Sequence, residues 1–499
     1  MKPLLHRLST ELGLTTLLAS SRDTDLLLLT RFIRMFAYGS STLILALFFA
    51  ALHHSDAKIG LFMTLTLVGD VLISLFLTLF ADRLGRRRIL TLGALLMTFS
   101  GATFATVSNY WILLLAAIVG VISPSGNEIG PFRAVEESTL AQLSDPATRS
   151  DIFALYVVSG TLGTASGSLV AGWATQAVQA KNGWSELASY RLVFWIYALI
   201  GILKAAMTML LSGKCEAAAE PATPTPAPTR LSRQQRDQQN QSEDGEDEPF
   251  LDDNEEQEAE TPSPPQPAKK QWFQLSKKSQ LTLAKLCGLF FFDSLASGMV
   301  PASLIAYYIS RKFGMEQGTL GTIMASAQFV SSLGNIFASS VAKRIGLVRT
   351  MVFTHLPSAI FLALLPAPSS LFMTILLLVA RSSLASMDQA PRSAFLSAVV
   401  LPEERTAVMG IVNTVKTMSQ SSGPLITGLL ASDKRFWIAF VVAGTLKGSY
   451  DVAMLSMFAS TPLEGERRRE TDSPPEEEVY ALEDSDDEES EGHTPAPNR

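Results

Sequence analysis

Apolar runs long enough to cross a bilayer dominate this chain, and short turns between them gather much of its charge. A helix needs about 20 mainly apolar residues for such a crossing. Six runs come first: Leu26–Ala51, Gly60–Phe80, Ile89–Val107, Trp111–Leu140, Ile152–Gln176 and Arg191–Leu211. Six more follow: Leu281–Tyr308, Leu320–Val341, Val348–Leu365, Leu371–Val400, Thr406–Leu430 and Phe436–Phe458. The pattern predicts an all-α membrane protein of twelve spans, numbered here in chain order. Pro124, Gly126, Gly130 and Pro131 interrupt span 4, and span 5 is rich in small residues.

The turn between spans 2 and 3 reads Ala81-Asp82-Arg83-Leu84-Gly85-Arg86-Arg87-Arg88. Gly85 permits a tight backbone turn, and four guanidinium groups do not cross a membrane cheaply. Short loops this rich in arginine stay cytoplasmic, so the turn orients the chain. Counting from it puts both termini and the central segment inside. The cytoplasmic turns then also hold Arg149, Lys343, Arg344, Arg349 and Arg405, against Lys58, Lys181, Arg311, Lys312, Lys434 and Arg435 outside.

Five regions result: a cytoplasmic tail over 1–25, a six-helix bundle over 26–212, a cytoplasmic segment over 213–278, a second bundle over 279–460 and a tail over 461–499. The central segment is loaded with Pro, Thr, Gln, Asp and Glu, as in Pro221-Ala222-Thr223-Pro224-Thr225-Pro226. It holds too little apolar surface to offset the entropy of ordering, so the expectation is a disordered acidic loop, with a similar acidic tail.

Composition narrows the classes. Of 499 residues 47% are hydrophobic and 17% charged, against about 25% charged in soluble proteins. The net charge of −7 comes largely from the acidic segments, which leaves no basic surface for nucleic acid. Two cysteines, Cys215 and Cys287, make no disulfide framework. Met1–Arg22 does not read as a cleavable signal, because the first apolar run is long enough to remain as a span. His53-His54 has no further ligands at metal spacing, so no metal is expected. No nucleotide-binding motif and no nucleophile–base set appears, which argues against an ATP-driven pump or an enzyme.

The two six-span halves match at specific places. Glu128-x-x-Pro131 in span 4 aligns with Asp388-x-x-Pro391 in span 10. Arg149, Gly167 and Gly172 align with Arg405, Gly423 and Gly428 at one constant offset. Phe194-Trp195-Ile196 with Lys204 corresponds to Phe436-Trp437-Ile438 with Lys447, allowing one insertion, and Arg83-Leu84-Gly85 recurs as Arg344-Ile345-Gly346. Matches in the same order argue for a duplicated six-helix unit.

Twelve spans in two halves, a long cytoplasmic middle segment and Asp82-Arg83-x-Gly85-Arg86-Arg87 resemble the major facilitator superfamily. The resemblance implies two pseudo-symmetric bundles with both termini cytoplasmic. It also implies a gating turn in which Asp82, Arg83, Gly85, Arg86 and Arg87 clasp neighbouring helices when the cytoplasmic side is closed. The family's motif begins with Gly where this chain has Thr78, and its arginine motif in span 4 is absent. Gly163-x-x-x-Gly167-Ser168-x-x-Ala171-Gly172 in span 5 is similar to the superfamily's drug:proton antiporter signature, with Ser for Pro and Ala for Gly, while span 11 keeps Gly423-Pro424. The plain reading of Gly163, Gly167, Gly172, Gly423, Pro424 and Gly428 is close helix packing.

Ionisable residues inside spans need an explanation, because each costs a few kcal/mol there. Glu128 lies roughly 21 Å from the inner end of span 4, near mid-depth. Arg133, Glu136 and Glu137 follow, and Arg133 can pair with either glutamate, as a lock near the inner gate or as part of a site. Arg381, Asp388 and Arg392 form one stripe on span 10, either bracing the helix or holding an anionic or zwitterionic solute. Asp293 in span 7 is placed to carry a proton or bind a coupled ion. Arg34 and Tyr38, a turn apart on span 1, reach the cavity floor unless Arg34 snorkels to the inner surface. Asp70, Asn413 and Lys416 read as interface residues forming ion pairs between halves. Lys204 and Lys447 sit on spans that are peripheral in the family, and Asp451 can pair with Lys447 four residues away.

These readings describe a secondary transporter working by alternating access around a midplane site. Its expected form is proton-coupled efflux of a small organic, anionic or amphoteric solute, driven by the proton gradient without a cofactor. Uptake of an organic anion or nutrient by proton symport is the alternative. From another class comes a non-transporting membrane sensor or scaffold, for which Ser242-Glu243-Asp244 and Ser485-Asp486-Asp487-Glu488 offer kinases or regulators a docking surface. The expected partners are the solute and the lipid bilayer, with the chain a monomer in a plasma or vacuolar-type membrane.

Overall fold

The computed structural model describes residues 20–120, 122, 131–145, 148–181, 183–216, 277–400 and 405–458. Side chains at several positions within them, including 74–84 and 405–407, fall outside the description. Glu128 and the side chains of Asp82, Arg83 and Arg405 therefore lie outside the described residues, as do 217–276 and both tails beyond 20 and 458.

The described secondary structure is helical. The first half comprises Arg22–Ala51, Asp56–Leu84, Arg86–Thr106, the pair Tyr110–Gly120 and Pro131–Leu143, Arg149–Gln179, and Glu186–Met209. The second comprises the pair Lys277–Met299 and Ala302–Phe313, Gln317–Ile345, Leu347–Leu364, the pair Leu371–Ser386 and Gln389–Val399, Arg405–Ser432, and Phe436–Phe458. Each half supplies six spans. Eight of the helical stretches are long and apolar enough by themselves to cross a membrane.

Local chemistry sets the ends. Ser21 caps span 1 by accepting the Thr24 amide, with Asp23 and Asp25 in the first turn facing the positive end of the helix dipole. Ser185 caps span 6 in the same way. A single glycine joins spans 2 and 3, and another joins spans 8 and 9. Gly85 has φ of 89° and Gly346 of 86°, a backbone that a side chain would resist. The start of span 3 has no side-chain cap of its own; Glu216, from just beyond span 6, accepts the Arg86 amide at 2.7 Å.

Spans 7 and 10 depart from the unbroken runs that apolarity predicts. Span 7 stops at Met299, and Pro301, which has no amide proton to continue the ladder, opens its outer piece. The freed Met299 carbonyl accepts a hydrogen bond from Thr427 Oγ1 at 2.6 Å. Span 10 breaks at Met387-Asp388, and Pro391 falls in the first turn of the inner piece, where a missing amide proton costs little.

Small residues set the packing. Spans 1 and 5 cross so closely that a Cβ on Gly39 or Gly167 would overlap the opposing backbone. The contact is stitched reciprocally, Ser40 Oγ donating to the Gly167 carbonyl and Ser168 Oγ to the Gly39 carbonyl, each at 3.0 Å. Spans 7 and 11 repeat it with Gly298 and Gly423. Between halves, Gly172 of span 5 meets Gly321 of span 8, and Gly428 of span 11 meets Gly60 of span 2. The aligned glycines of the two halves thus make equivalent contacts.

These inter-half contacts gather at one end. Taking the Arg86–Arg88 turn as the inner side, the outer rim holds Arg311 paired with Asp56 at 2.7 Å, Tyr307 donating to the other Asp56 oxygen at 2.9 Å, and Gln317 donating to Tyr190 at 3.1 Å. Ser332 donates to Thr161 near mid-depth. These contacts between the halves close the outer side.

Candidate functional site

Each half carries its own buried charge cluster. In the first, Glu136 of span 4 accepts from Arg34 of span 1 at 2.5 Å and from the Tyr156 hydroxyl of span 5 at 2.8 Å. Its other oxygen lies 3.6 Å from Lys204 of span 6. Arg34 and Glu136 side chains are 1% exposed, so Arg34 does not snorkel to the inner surface. Arg31 lies over the Tyr156 ring at 3.8 Å and donates to the Tyr156 carbonyl. Of the two glutamates offered to Arg133, the pair formed is with Glu137, at 2.6 Å and substantially exposed. Tyr38 is buried and stacks on Tyr197 at 6.4 Å.

The second half repeats this design with the signs on its first and fourth spans exchanged. Asp293 of span 7 lies between Arg392 of span 10, at 2.6 Å, and Lys447 of span 12, at 2.7 Å. Arg392 also bridges to Asp388, so the local Asp388–Arg392 pair expected on span 10 is one arm of a cross-span network. Lys447 donates further to Ser297 Oγ at 2.8 Å. The expected Lys447–Asp451 pair is not among the ion pairs of either residue; Asp451 instead faces His355 of span 9, with Nδ1 at 2.9 and 3.0 Å from its two oxygens. A lysine on the sixth span of each half therefore reaches inward to a carboxylate, although those spans are peripheral by resemblance.

A cavity of about 550 Å³ opens against this network. Asp293, Arg381, Asp388 and Arg392 line it, joined from the first half by Arg133. His355, Lys416 and Lys447 complete its charged wall. Arg34 and Tyr38 are not among its described lining residues. Among the described residues Lys416 makes no ion pair with the other half; its ammonium sits over the Phe290 ring at 5.2 Å. Asp70 is buried, and neither carboxylate oxygen has a hydrogen-bond partner, so the expected ion pair between halves is absent there.

Two side chains stand out for lacking an anionic partner. Arg381 Nε has no hydrogen bond, and neither Arg381 nor Lys416 has a carboxylate within ion-pair distance among the described residues. A cationic wall that its own carboxylates do not fully match is suited to a carboxylate or phosphate from outside the protein. His355 and Tyr156 are functional candidates that sequence reasoning passed over. For His355 the available signal was an ionisable side chain inside an apolar run, two residues before Pro357.

Of the gating turn, Gly85, Arg86 and Arg87 are described. Arg86 donates to Gln142 Oε1 at 2.8 Å and Arg87 to the Met209 carbonyl at 3.2 Å, tying the turn to the inner ends of spans 4 and 6.

Two pseudo-symmetric six-span bundles, with broken helices and a charged cavity, define a multi-pass membrane transporter of the secondary class. The chain belongs to the Major Facilitator Superfamily, whose family model matches residues 27–301 and 286–484. It is 35% identical over 441 residues to the uncharacterized membrane protein YJR124C of Saccharomyces cerevisiae (strain ATCC 204508 / S288c), covering 88% of this chain and 94% of that one. Its fold is similar to that of the nucleoside transporter NupG, at a TM-score of 0.62 and 13% identity over 88% of this chain and 99% of that one. It is also similar to the inward open conformation of the xylose transporter XylE from E. coli, at 0.60 and 12% over 88% and 98%.

Proposed function

We propose that the protein moves a small organic anion, or the anionic end of an amphoteric solute, in exchange for or together with protons. The observation that carries the anion is the pair Arg381 and Lys416, which face the cavity with no carboxylate within ion-pair distance among the described residues. Proton antiport with solute efflux is supported by the resemblance of span 5 to the drug:proton antiporter signature. A second reading, symport, is favoured by the double hold on Arg392. A proton on Asp293 or Asp388 would release part of that guanidinium to a solute anion, so proton and anion would bind together.

The test is flux in proteoliposomes of purified protein, with a radiolabelled panel of mono- and dicarboxylates beside neutral sugars and nucleosides. An anion that enters against its neutral counterparts is the expected outcome. A charge-assisted hydrogen bond is worth about 1.5–3 kcal/mol, so Arg381→Gln should weaken half-saturation roughly 10- to 150-fold. An acid exterior that speeds uptake selects symport, and an acid interior that speeds it selects antiport. Flux of neutral solutes alone, insensitive to Arg381→Gln, would rule out the anion.

A further inference from the structure

The cavity wall changes character from its inner to its outer end. Span 7 runs outward and span 10 inward, so the order of their lining residues is an order of height. Asp293 and Asp388 lie innermost, held by Arg392 and Lys447. A turn outward come Ser297 of span 7 and Gln420 of span 11, whose carbonyl a Cβ on the adjacent Gly298 would strike. Arg381 stands at this height too: its carbonyl accepts from Ser358, nearly one turn outward of His355, which itself faces Asp293. Beyond that tier the wall turns apolar. Val300 lies about two turns, roughly 10 Å, outward of Asp293, and Ile305 follows it. Met324 of span 8 joins them, with Leu378 on the turn outward of Arg381. All four are buried and belong to the apolar core that both halves share.

Charge is confined to the inner tiers. With the His355 imidazole uncharged, Arg381, Arg392, Lys416 and Lys447 are four cations against the three carboxylates Asp293, Asp388 and Asp451, while Arg133 is paired with Glu137. Buried charge is costly unless matched, and an excess of one positive charge is matched by a solute carrying one negative charge. Arg392 and Lys447 are engaged by the floor carboxylates, which leaves Arg381 and Lys416 to meet the head of that solute. The outer tier decides the rest of it. A hydroxyl placed against Val300, Ile305, Met324 and Leu378 would lose its water and gain no comparable hydrogen bond, whereas a hydrocarbon tail would gain by leaving water.

We propose that the solute is an amphipathic monoanion, seated with its charged head at Arg381 and Lys416 and its apolar tail turned outward against Val300, Ile305, Met324 and Leu378. The inference rests on the anion reading above and narrows it from anions in general to those with an apolar tail. Head and tail draw on different physics, charge for the one and release of water for the other, so each can be varied while the other is held. The roof is part of the core that closes the outer side, so a bound tail also favours the closed form.

Straight-chain alkanesulfonates, from ethanesulfonate to hexanesulfonate, are the probes: the head stays ionised at any working pH and the tail alone changes. Binding to the full-length protein in nanodiscs, measured by calorimetric titration and corrected against empty nanodiscs, should tighten about fourfold per methylene until the roof is filled. Hydroxyethanesulfonate, with as many heavy atoms in its tail as propanesulfonate, should bind roughly tenfold more weakly than it. Leu378→Ala should flatten the rise along the series, and Arg381→Gln should weaken every member by a like factor. Should Leu378→Ala fail to fold, the series in the parent protein decides alone. Affinity that is flat from ethanesulfonate to hexanesulfonate, or hydroxyethanesulfonate binding as tightly as propanesulfonate, overturns the proposal and leaves the anion reading standing. No binding of any sulfonate removes the anion reading, and this proposal with it.

Discussion

A methyl group added at Gly172 should tilt the transporter toward its outward-open form. The Cβ of Gly172→Ala would lie 2.9 Å from the Gly321 Cα, and that of Gly428→Ala 2.9 Å from the Gly60 Cα. Carbons in ordinary contact stand about 3.5–4.0 Å apart, so each pair of helices must separate by up to roughly 1 Å. Overpacking of this kind costs about 1–3 kcal/mol, and these contacts join the halves only while the outer side is closed. The equilibrium should therefore move by roughly 5- to 150-fold toward outer opening, and the two sites, on separate helix pairs, should add. Spin labels at the exposed outer positions 181 and 433, one in each half, report it as growth of a longer-distance population in pulsed EPR. Unchanged distance distributions in both variants would refute the view that glycine packing holds the outer side shut.

Three further outcomes follow from side chains described above. Glu136→Gln breaks a buried pair, which typically costs about 3–5 kcal/mol, whereas Tyr156→Phe removes one hydrogen bond worth about 1 kcal/mol. Thermal unfolding in detergent should rank them in that order, and equal melting temperatures for both and for the parent would show that the cluster is no brace. Burial, reinforced by the Asp23 carboxylate, pushes the Cys215 thiol up to about 11. At pH 7 it should hold about a hundredfold less thiolate than an ordinary thiol, with maleimide labelling in a Cys287→Ser background rising about tenfold per pH unit up to that point. Fast labelling at neutral pH would mean that the turn holding Cys215 is not docked. Glu216→Gln removes the charge that caps span 3 and should lower melting by the equivalent of about 1 kcal/mol, an effect that vanishes if the cap is idle.

Much of the architecture could be read along the chain, because run length and arginine placement are one-dimensional properties. The equivalence of Gly172 and Gly428 was likewise visible as a constant offset before their partners were known. The break in span 7 was hidden, since apolarity continues through Val300-Pro301, and the one in span 10 because polar residues inside a span do not by themselves mark a turn. At the site, the span 10 stripe and Asp293 were recognisable as ionisable groups at costly depth. Their partners were not, because spacing along one helix ranks only local pairs. It found Arg133 with Glu137, but it favoured Lys447 with Asp451, while the fold sends Lys447 to Asp293, and it left unseen the cross-span pair of Arg34 with Glu136. His355 escaped because histidines were weighed as a metal set, in which a single ring counts for nothing.

The exchange of signs between the two clusters bears on how the halves can move. Glu136 finds its recorded cationic partners within the first half, and Asp293 finds its own within the second. Rocking one half against the other would leave these pairs intact. The ion pair seen between the halves is Arg311 with Asp56, at the wet outer rim where Arg311 is about half exposed. Added salt should thus reach the switching step through that rim while leaving the interior untouched.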